Sequence, residues 1–275
     1  MNYKDITVGI VTFKSEKVIF NCLKSIKKMK KIIIFDNSND LSLKTKIKKI
    51  YPSIKVILSR KNLGFGEANN KIFKLAKTPY VLVLNPDTIL KKKCIQRLLL
   101  QAKNIKNNFA IIAPSEKRKM AIEELTEVNY VKGFAMLVDL NKIKKIGMFD
   151  KNYFLYLEEI DLCKRLRLAS EKIYICNNAK IKHLGAKSSN IGFEFEKCRN
   201  WHWMWSKVYF DKKFYSHSYA FKNSFSKLFS NIFKAVFFSL ILNLKKTKIY
   251  YLRFSGTLES LLGNKSWYRP KIHKS

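Results

Sequence analysis

Tyr80-Val81-Leu82-Val83-Leu84-Asn85-Pro86-Asp87 runs five apolar or aromatic residues into a proline and a carboxylate. A strand with one wet face alternates apolar and polar side chains, so an unbroken run predicts a strand buried on both faces. Pro86 has no N–H for a sheet ladder and ends the strand, which leaves Asp87 at its carboxyl end. Similar runs occupy Ile6–Phe13, Lys31–Phe35, Ile54–Leu58 and Phe109–Ala113. Between them lie helical patterns: Val18, Ile19, Cys22, Leu23 and Ile26 at helical spacing, then Leu41–Ile50, Glu67–Ala76 and about Lys91–Asn104. This alternation predicts an α/β fold built from βαβ units, with a mostly parallel sheet flanked by helices. Such sheets bind ligands beyond the carboxyl ends of their strands. Asp36, Asn62–Gly66 and Asp87 each follow a strand, so three polar loops gather on one rim.

The second half reads differently. Val131–Asp139 mixes strand signals with Gly133, Phe149–Leu157 is rich in aromatics, and Glu158–Ala169 is an amphipathic helix. Ile173–Cys176 and Ala179–His183 read as two short strands. From about Glu194 the chain turns helical, aromatic and basic. The expected organisation is one α/β domain over residues 1–195 and a helical extension over 196–275.

Composition narrows the function. The 275 residues carry 55 Lys+Arg against 20 Asp+Glu, a net charge of +35, yet 47% are apolar, which excludes a disordered basic tail. Eight of the basic residues are Arg and 47 are Lys. Dedicated phosphate and nucleic-acid readers lean on Arg forks, so a uniform Lys excess fits a compositional habit or a non-specific anionic partner. The five cysteines are odd in number and form no C-x-x-C pair, which argues against a disulfide framework or a zinc site. The first residues lack the apolar core of a signal peptide, and a cytoplasmic protein is expected.

Several residues could carry chemistry, and each has a plainer reading. The loop Asn62-Leu63-Gly64-Phe65-Gly66 with Asn69 sits at a strand-to-helix junction, where backbone N–H groups can meet an anion or simply make a tight turn. Asp87 suits a hard cation bridging phosphates, or a helix cap. Glu158, Glu159 and Asp161 open a helix behind an aromatic stretch; they either complement the helix dipole or supply a carboxylate whose raised pKa suits a general base. His183 ends a strand and is structural, unless it converges with Asp87 on one cation.

In order, T-F-x-S, D-N-S, N-x-G-F-G-x-x-N-N, N-P-D, V-x-G-x-A-M-L, L-E-E-x-D-L-x-x-R-L and a strand-terminal His resemble family 2 inverting glycosyltransferases, over about residues 5–190. The similar branch is the rhamnosyltransferase-like enzymes of bacterial surface polysaccharide synthesis. The resemblance implies a GT-A fold that binds a nucleotide-sugar (a dTDP- or UDP-linked donor) and a divalent cation, Mg2+ or Mn2+. It implies that Thr12 and Asp36 contact the nucleotide, that Asn62, Gly64, Gly66 and Asn69 line the donor, and that Asn85 and Asp87 stand in the D-x-D element. Asp87 and His183 become cation ligands, Glu159 the general base and Asp161 an acceptor-orienting acid. The neutral Asn85 departs from the acidic first position and implies weaker hold on the cation. The implied acceptor is a glycan or lipid-linked hydroxyl, and an oligomer is compatible with all of this.

Three rivals remain at this level. A nucleic-acid-binding protein is suggested by charge alone, but the Lys residues lie on nearly every helix and no DNA or RNA motif appears. A nucleotidyltransferase would carry glycines in the loop after the first strand, where this chain has Phe13-Lys14-Ser15-Glu16. A scaffold that kept the fold and lost the activity is the third; Asn85 fits it, whereas Asp87, Glu159 and His183 argue against it. In the extension, Trp201, Trp203 and Trp205 fit a strand or a helix, as core, as a sugar platform or as an interfacial belt. Phe225–Leu244 is too interrupted by Lys227, Lys234 and Asn243 for a span of about 20 apolar residues. It reads as a peripheral anchor on the anionic, cytoplasmic face of a membrane, or as a helix packed on the domain or a partner.

Overall fold

A computed structural model describes residues 1–116, 123–185, 189 and 192–270. They form two compact units: Met1–Asp150 with Glu159–Asn190, and Lys151–Glu158 with Ile191–Ser275. The divide therefore falls before the expected residue 195, and the aromatic segment ahead of Glu159 joins the second unit.

In the first unit the sheet starts with β1 (Ile6–Thr12), β2 (Ile32–Asp36), β3 (Lys55–Leu58) and β4 (Tyr80–Leu84). These run parallel in the order β3-β2-β1-β4, connected by α1 (Glu16–Ser25), α2 (Leu41–Ile50) and α3 (Phe65–Leu75). The unbroken apolar runs are explained by burial on both faces. Ile32 and Ile34 pack into one core, Ile33 and Phe35 into the other, and Leu82 and Val83 divide in the same way. Each fully buried Ile or Leu stabilises the fold by about 2 kcal/mol.

Beyond β4 come β5 (Thr88–Leu90), α4 (Cys94–Asn104), β6 (Ile111–Ser115), β7 (Leu125–Glu127), β8 (Ala135–Asp139), α5 (Leu140–Lys145), α6 (Glu158–Leu168) and β9 (Ile173–His183). The sheet continues β4-β8-β6-β9-β5, and β8 pairs antiparallel to both β4 and β6. The two strands expected over 173–183 are one. Its register against β6 shifts between Pro114 and Ser115, whose partners are Cys176 and Lys180. The residues between those partners make the break that the sequence suggested. The short β5 and β7 carry too few residues for a pattern and exist by pairing with β9. All five cysteines are free and buried, and burial pushes the thiols of Cys22, Cys94, Cys163 and Cys198 up to about 12.

The second unit holds α7 (Phe193–Phe214), α8 (His217–Leu240) and α9 (Leu244–Leu261). The tryptophan run is helical. Trp201 and Trp205, one turn apart, are buried and stacked, while Trp203 points outward. Their indole N–H groups donate to Ser255 Oγ and the Asn264 carbonyl, which ties α7 to α9 and to the chain after it.

Candidate active site

The rim at the ends of β1 and β2 is organised by Asp36. Its Oδ1 accepts from the hydroxyls of Thr12 and Ser38, both at 2.8 Å, and its Oδ2 accepts from the Asp40 N–H at 2.8 Å. Thr12 and Asp36 are buried and their polar atoms are committed to one another. These bonds shape the loop after β2. Asn37, the middle residue of the D-N-S motif, extends the network. Its Nδ2 donates to the Gly64 carbonyl at 3.0 Å, and its Oδ1 accepts from the Leu63 N–H at 3.1 Å. The β2 loop and the glycine loop are thereby one piece.

Gly64 has φ +79°, a conformation that favours glycine, and its N–H is held by Asn62 Oδ1 at 2.9 Å. Phe65 opens α3. Gly66 and Asn69 are buried in its first turns, with Asn69 Nδ2 donating to the Phe65 carbonyl. Asn69 thus supports the loop from beneath. Its neighbour Asn70 makes two bonds to the backbone of Phe149 and pins the segment leading toward α6.

Asp87 and His183 are brought together by the pairing of β5 with β9, in which Thr88 lies opposite His183. His183 Nε2 is 3.4 Å from the buried Asp87 Oδ1, and its Nδ1 faces Glu116 Oε1 at 3.6 Å. Cis ligands of an octahedral ion at about 2.1 Å stand about 3 Å apart, so the Asp87–His183 pair fits a hard divalent cation. Glu116, missed at the sequence level, faces the imidazole from its far side. Among the described residues no group of three His, Cys, Asp or Glu side chains is placed to hold a metal ion. An ion there would draw its remaining ligands from a bound phosphate and from water. The Asn85 backbone closes the turn, accepting from Thr88 Oγ1 at 2.6 Å.

Glu159 stands in the first turn of α6. Burial pushes its carboxyl above the usual carboxylate range, and N–H groups of Glu159, Gly133 and Ile160 partly oppose that by bonding the ionised form. Gly133 and Phe134 join the pieces. A Cβ on Gly133 would lie 3.4 Å from both Glu159 Cβ and the Phe65 ring. Phe134 stacks on the His183 ring at 4.5 Å, and its carbonyl accepts from the Asn85 N–H at 2.8 Å. This dipeptide touches the glycine loop, the N-P-D turn, His183 and Glu159. Its signal in the sequence was the lone glycine of a strand-like run.

Asp161 has no exposed surface and pairs with Arg165 Nε at 2.6 Å, while that guanidinium also bonds the carbonyls of Ile146 and Met148, which ties α6 to the preceding loop.

The model of the family described as Glycosyl transferase family 2 matches residues 7–161. The chain is 25% identical over 202 residues to the low-salt glycan biosynthesis hexosyltransferase Agl10 of Haloferax volcanii, covering 62% of this chain and 64% of that one. It is 29% identical over 211 residues to the rhamnosyltransferase WbbL of Escherichia coli, covering 62% and 78%. The chain thus spans less than two thirds of the Haloferax relative. Among solved structures, the mannosyltransferase PcManGT of Pyrobaculum calidifontis, in complex with GDP-Man and Mn2+, superposes with TM-score 0.60 at 11% identity, covering 95% of this chain and 88% of that one. Residues 1–349 of S. aureus TarS, in complex with UDP-GlcNAc, superpose with TM-score 0.55 at 15% identity, covering 96% and 93%.

Proposed function

This chain belongs to glycosyl transferase family 2 and has the GT-A fold, and we propose that it is an inverting glycosyltransferase. It moves a sugar from a nucleotide-diphosphate donor to a hydroxyl of a lipid-linked or cell-surface glycan. The observation that carries this reading is Glu159, a carboxylate made more basic by burial and aimed by the Gly133 N–H. A hydroxyl is a weak nucleophile at neutral pH. Glu159 takes its proton as the new C–O bond forms at the anomeric carbon, and the bond to the diphosphate breaks on the opposite face, inverting that carbon. Asp87 and His183 would hold a divalent cation, which would stabilise the charge developing on the leaving diphosphate. The loop Asn62–Gly66 lies along the donor, and Thr12, Asp36 and Asn37 hold it in shape. The rhamnosyltransferase relative makes dTDP-rhamnose the first donor to try, with UDP-sugars next. In a thermal-shift panel with Mg2+ or Mn2+, the true donor should raise Tm above every other nucleotide-sugar. No shift with any donor, together with no product, would refute the reading.

We also propose that α8 rests on a membrane surface. Phe221, Phe225, Phe229, Phe233 and Phe237 recur every fourth residue and are all exposed, as are Leu240, Ile241, Leu242 and Leu244. Between Asp211 and Glu259 the sequence holds no acidic residue, while Lys222, Lys227, Lys234, Lys245, Lys246 and Lys248 intersperse the apolar ones. Among the described residues no helix is long and apolar enough to cross a membrane. Exposed aromatics beside uncompensated lysines suit the surface of an anionic leaflet, such as the cytoplasmic one. The protein should float with vesicles containing phosphatidylglycerol and not with neutral ones, and Phe229→Ser with Phe233→Ser should abolish flotation. Unaltered flotation of that variant would remove this surface from the proposal.

A further inference from the structure

The second unit contains an open pocket of about 620 Å³ that the transfer chemistry leaves unused. Tyr156, Phe195, Arg199, Asn200, Trp203 and Arg253 line it. Two of the chain's eight arginines meet here, in a protein that elsewhere uses lysine almost throughout. Arg is preferred over Lys where a planar anion must be gripped in a fixed direction.

Both guanidiniums are held from behind. Arg253 donates from Nε to Asn200 Oδ1 at 2.6 Å and lies over the Tyr250 ring, so its two terminal NH2 groups remain for a ligand. Arg199 donates from Nε to the Tyr156 hydroxyl and lies over the Phe195 and Tyr156 rings. Trp203, half exposed, meets Tyr156 edge-on at 5.4 Å and presents an aromatic face at the same opening. Glu196 is the acidic residue on the lining, and nearby Glu194 is already paired with Lys197. The arginines therefore keep an excess of positive charge.

The backbone is strained where it enters this pocket. Tyr156 and Leu157 are consecutive non-glycine residues in the left-handed region, at φ +70° and +66°. L-residues with side chains of this size adopt that conformation at a cost, and such strain persists mainly where a site needs it. Here it sets the Tyr156 ring and hydroxyl beside Arg199.

We propose that this pocket binds a phosphorylated sugar, the ring lying on Trp203 and the phosphate between Arg199 and Arg253. That the sugar phosphate is part of an acceptor rests on the glycosyl-transfer reading; the binding itself does not. Titration calorimetry on the full chain would use glucose 1-phosphate, N-acetylglucosamine 1-phosphate and galactose 1-phosphate as probes, with the free sugars and inorganic phosphate as controls. At least one sugar phosphate should bind about tenfold tighter than its separate parts. Arg253→Ala, which leaves the Arg199–Tyr156 contact in place, and Trp203→Ala should each weaken that binding by about tenfold. Both variants should keep wild-type affinity for nucleoside diphosphate and still melt in one cooperative transition. A short-chain glycosyl phosphate lipid competing better than the free sugar phosphate would identify a glycolipid as the source, and equal competition a soluble glycan. Failure of every sugar phosphate to bind, equal binding by Arg253→Ala, or equal competition by phosphatidylglycerol vesicles would overturn the assignment. Loss of nucleotide binding in the wild type would instead count against the transferase reading.

Discussion

The backbone N–H of Gly133 bonds the carboxylate of Glu159, and a Cβ at this glycine would stand in contact with Glu159 and the Phe65 ring. Burial raises the carboxyl's pKa while this bond opposes the rise, so Glu159 is both basic and fixed in direction. Ionising it costs stability: a raised folded-state pKa means stability is complete below the unfolded value and declines as pH rises through the folded one. Glu159→Gln should therefore lower transfer by about 10²–10⁴-fold while leaving nucleotide binding near wild type. It should also have the higher Tm at alkaline pH, with the difference shrinking as pH falls. A wild-type kcat in this variant would reject Glu159 as the base.

Wild-type kcat should itself fall on acidification with a midpoint above the usual carboxylate range. The profile should flatten in whatever activity Glu159→Gln retains. Steady-state rates under saturating donor and acceptor report the ionisation of the bound complex. A midpoint at the ordinary glutamate value would show that burial does not tune this group in the working enzyme.

Gly133→Val tests the direction rather than the basicity. Its branches would press on Glu159 Cβ and Phe65, which stand at 3.4 Å from a Cβ at this position. A displacement of about 1 Å at a general base costs up to about a hundredfold in rate. The expected result is a large drop in kcat with little change in donor KM, and a smaller drop for Gly133→Ala. Equal loss of donor affinity would mean that the substitution disturbs the glycine loop instead.

Asp87 and His183 should behave as one unit. Asp87→Asn and His183→Gln should each weaken donor binding by about tenfold or more with Mg2+ or Mn2+ present. The three proteins should become alike once the ion is chelated. Calorimetry with and without chelator separates a cation role from a fold role, since a merely structural change would persist without the ion.

Much of this was legible because β1, β2 and β4 are buried on both faces and so cannot be mistaken for amphipathic helices. The two ends of the site were harder. β5 is three residues long, and only its pairing with β9 sets His183 beside Asp87. Phe134 looked like any strand residue, although its ring covers His183. For the Asp161 ion pair the signal was present: Arg165 follows at i+4, the spacing of a helical ion pair. The tryptophan run could not be resolved, because alternate tryptophans fit either period until α9 supplies partners for Trp201 and Trp205.

His202 gives the second unit an acid limit. It is buried, its Nε2 is 2.9 Å from the Tyr268 carbonyl, and burial lowers its pKa to about 3. The unfolded chain binds the proton more tightly, so the contribution to stability is complete above the ordinary histidine value and declines as pH falls toward 3. Tm should fall more steeply across that window in wild type than in His202→Gln. Parallel curves would show that other groups govern acid unfolding.

Gly256 tests how α9 seats against α7. A Cβ there would stand 2.4 Å from the Trp201 carbonyl oxygen, a rigid backbone atom that cannot turn aside. Gly256→Ala must push the two helices apart, straining the Trp201–Ser255 bond and loosening the packing of Leu252 on the tryptophans. Overpacking of this kind costs about 1–3 kcal/mol, more than alanine's better helix propensity returns. The variant should melt several degrees lower, with a shift in tryptophan fluorescence. Nucleotide binding, which draws on residues of the first unit, should be retained; an unchanged Tm would mean that the helices can part without loss.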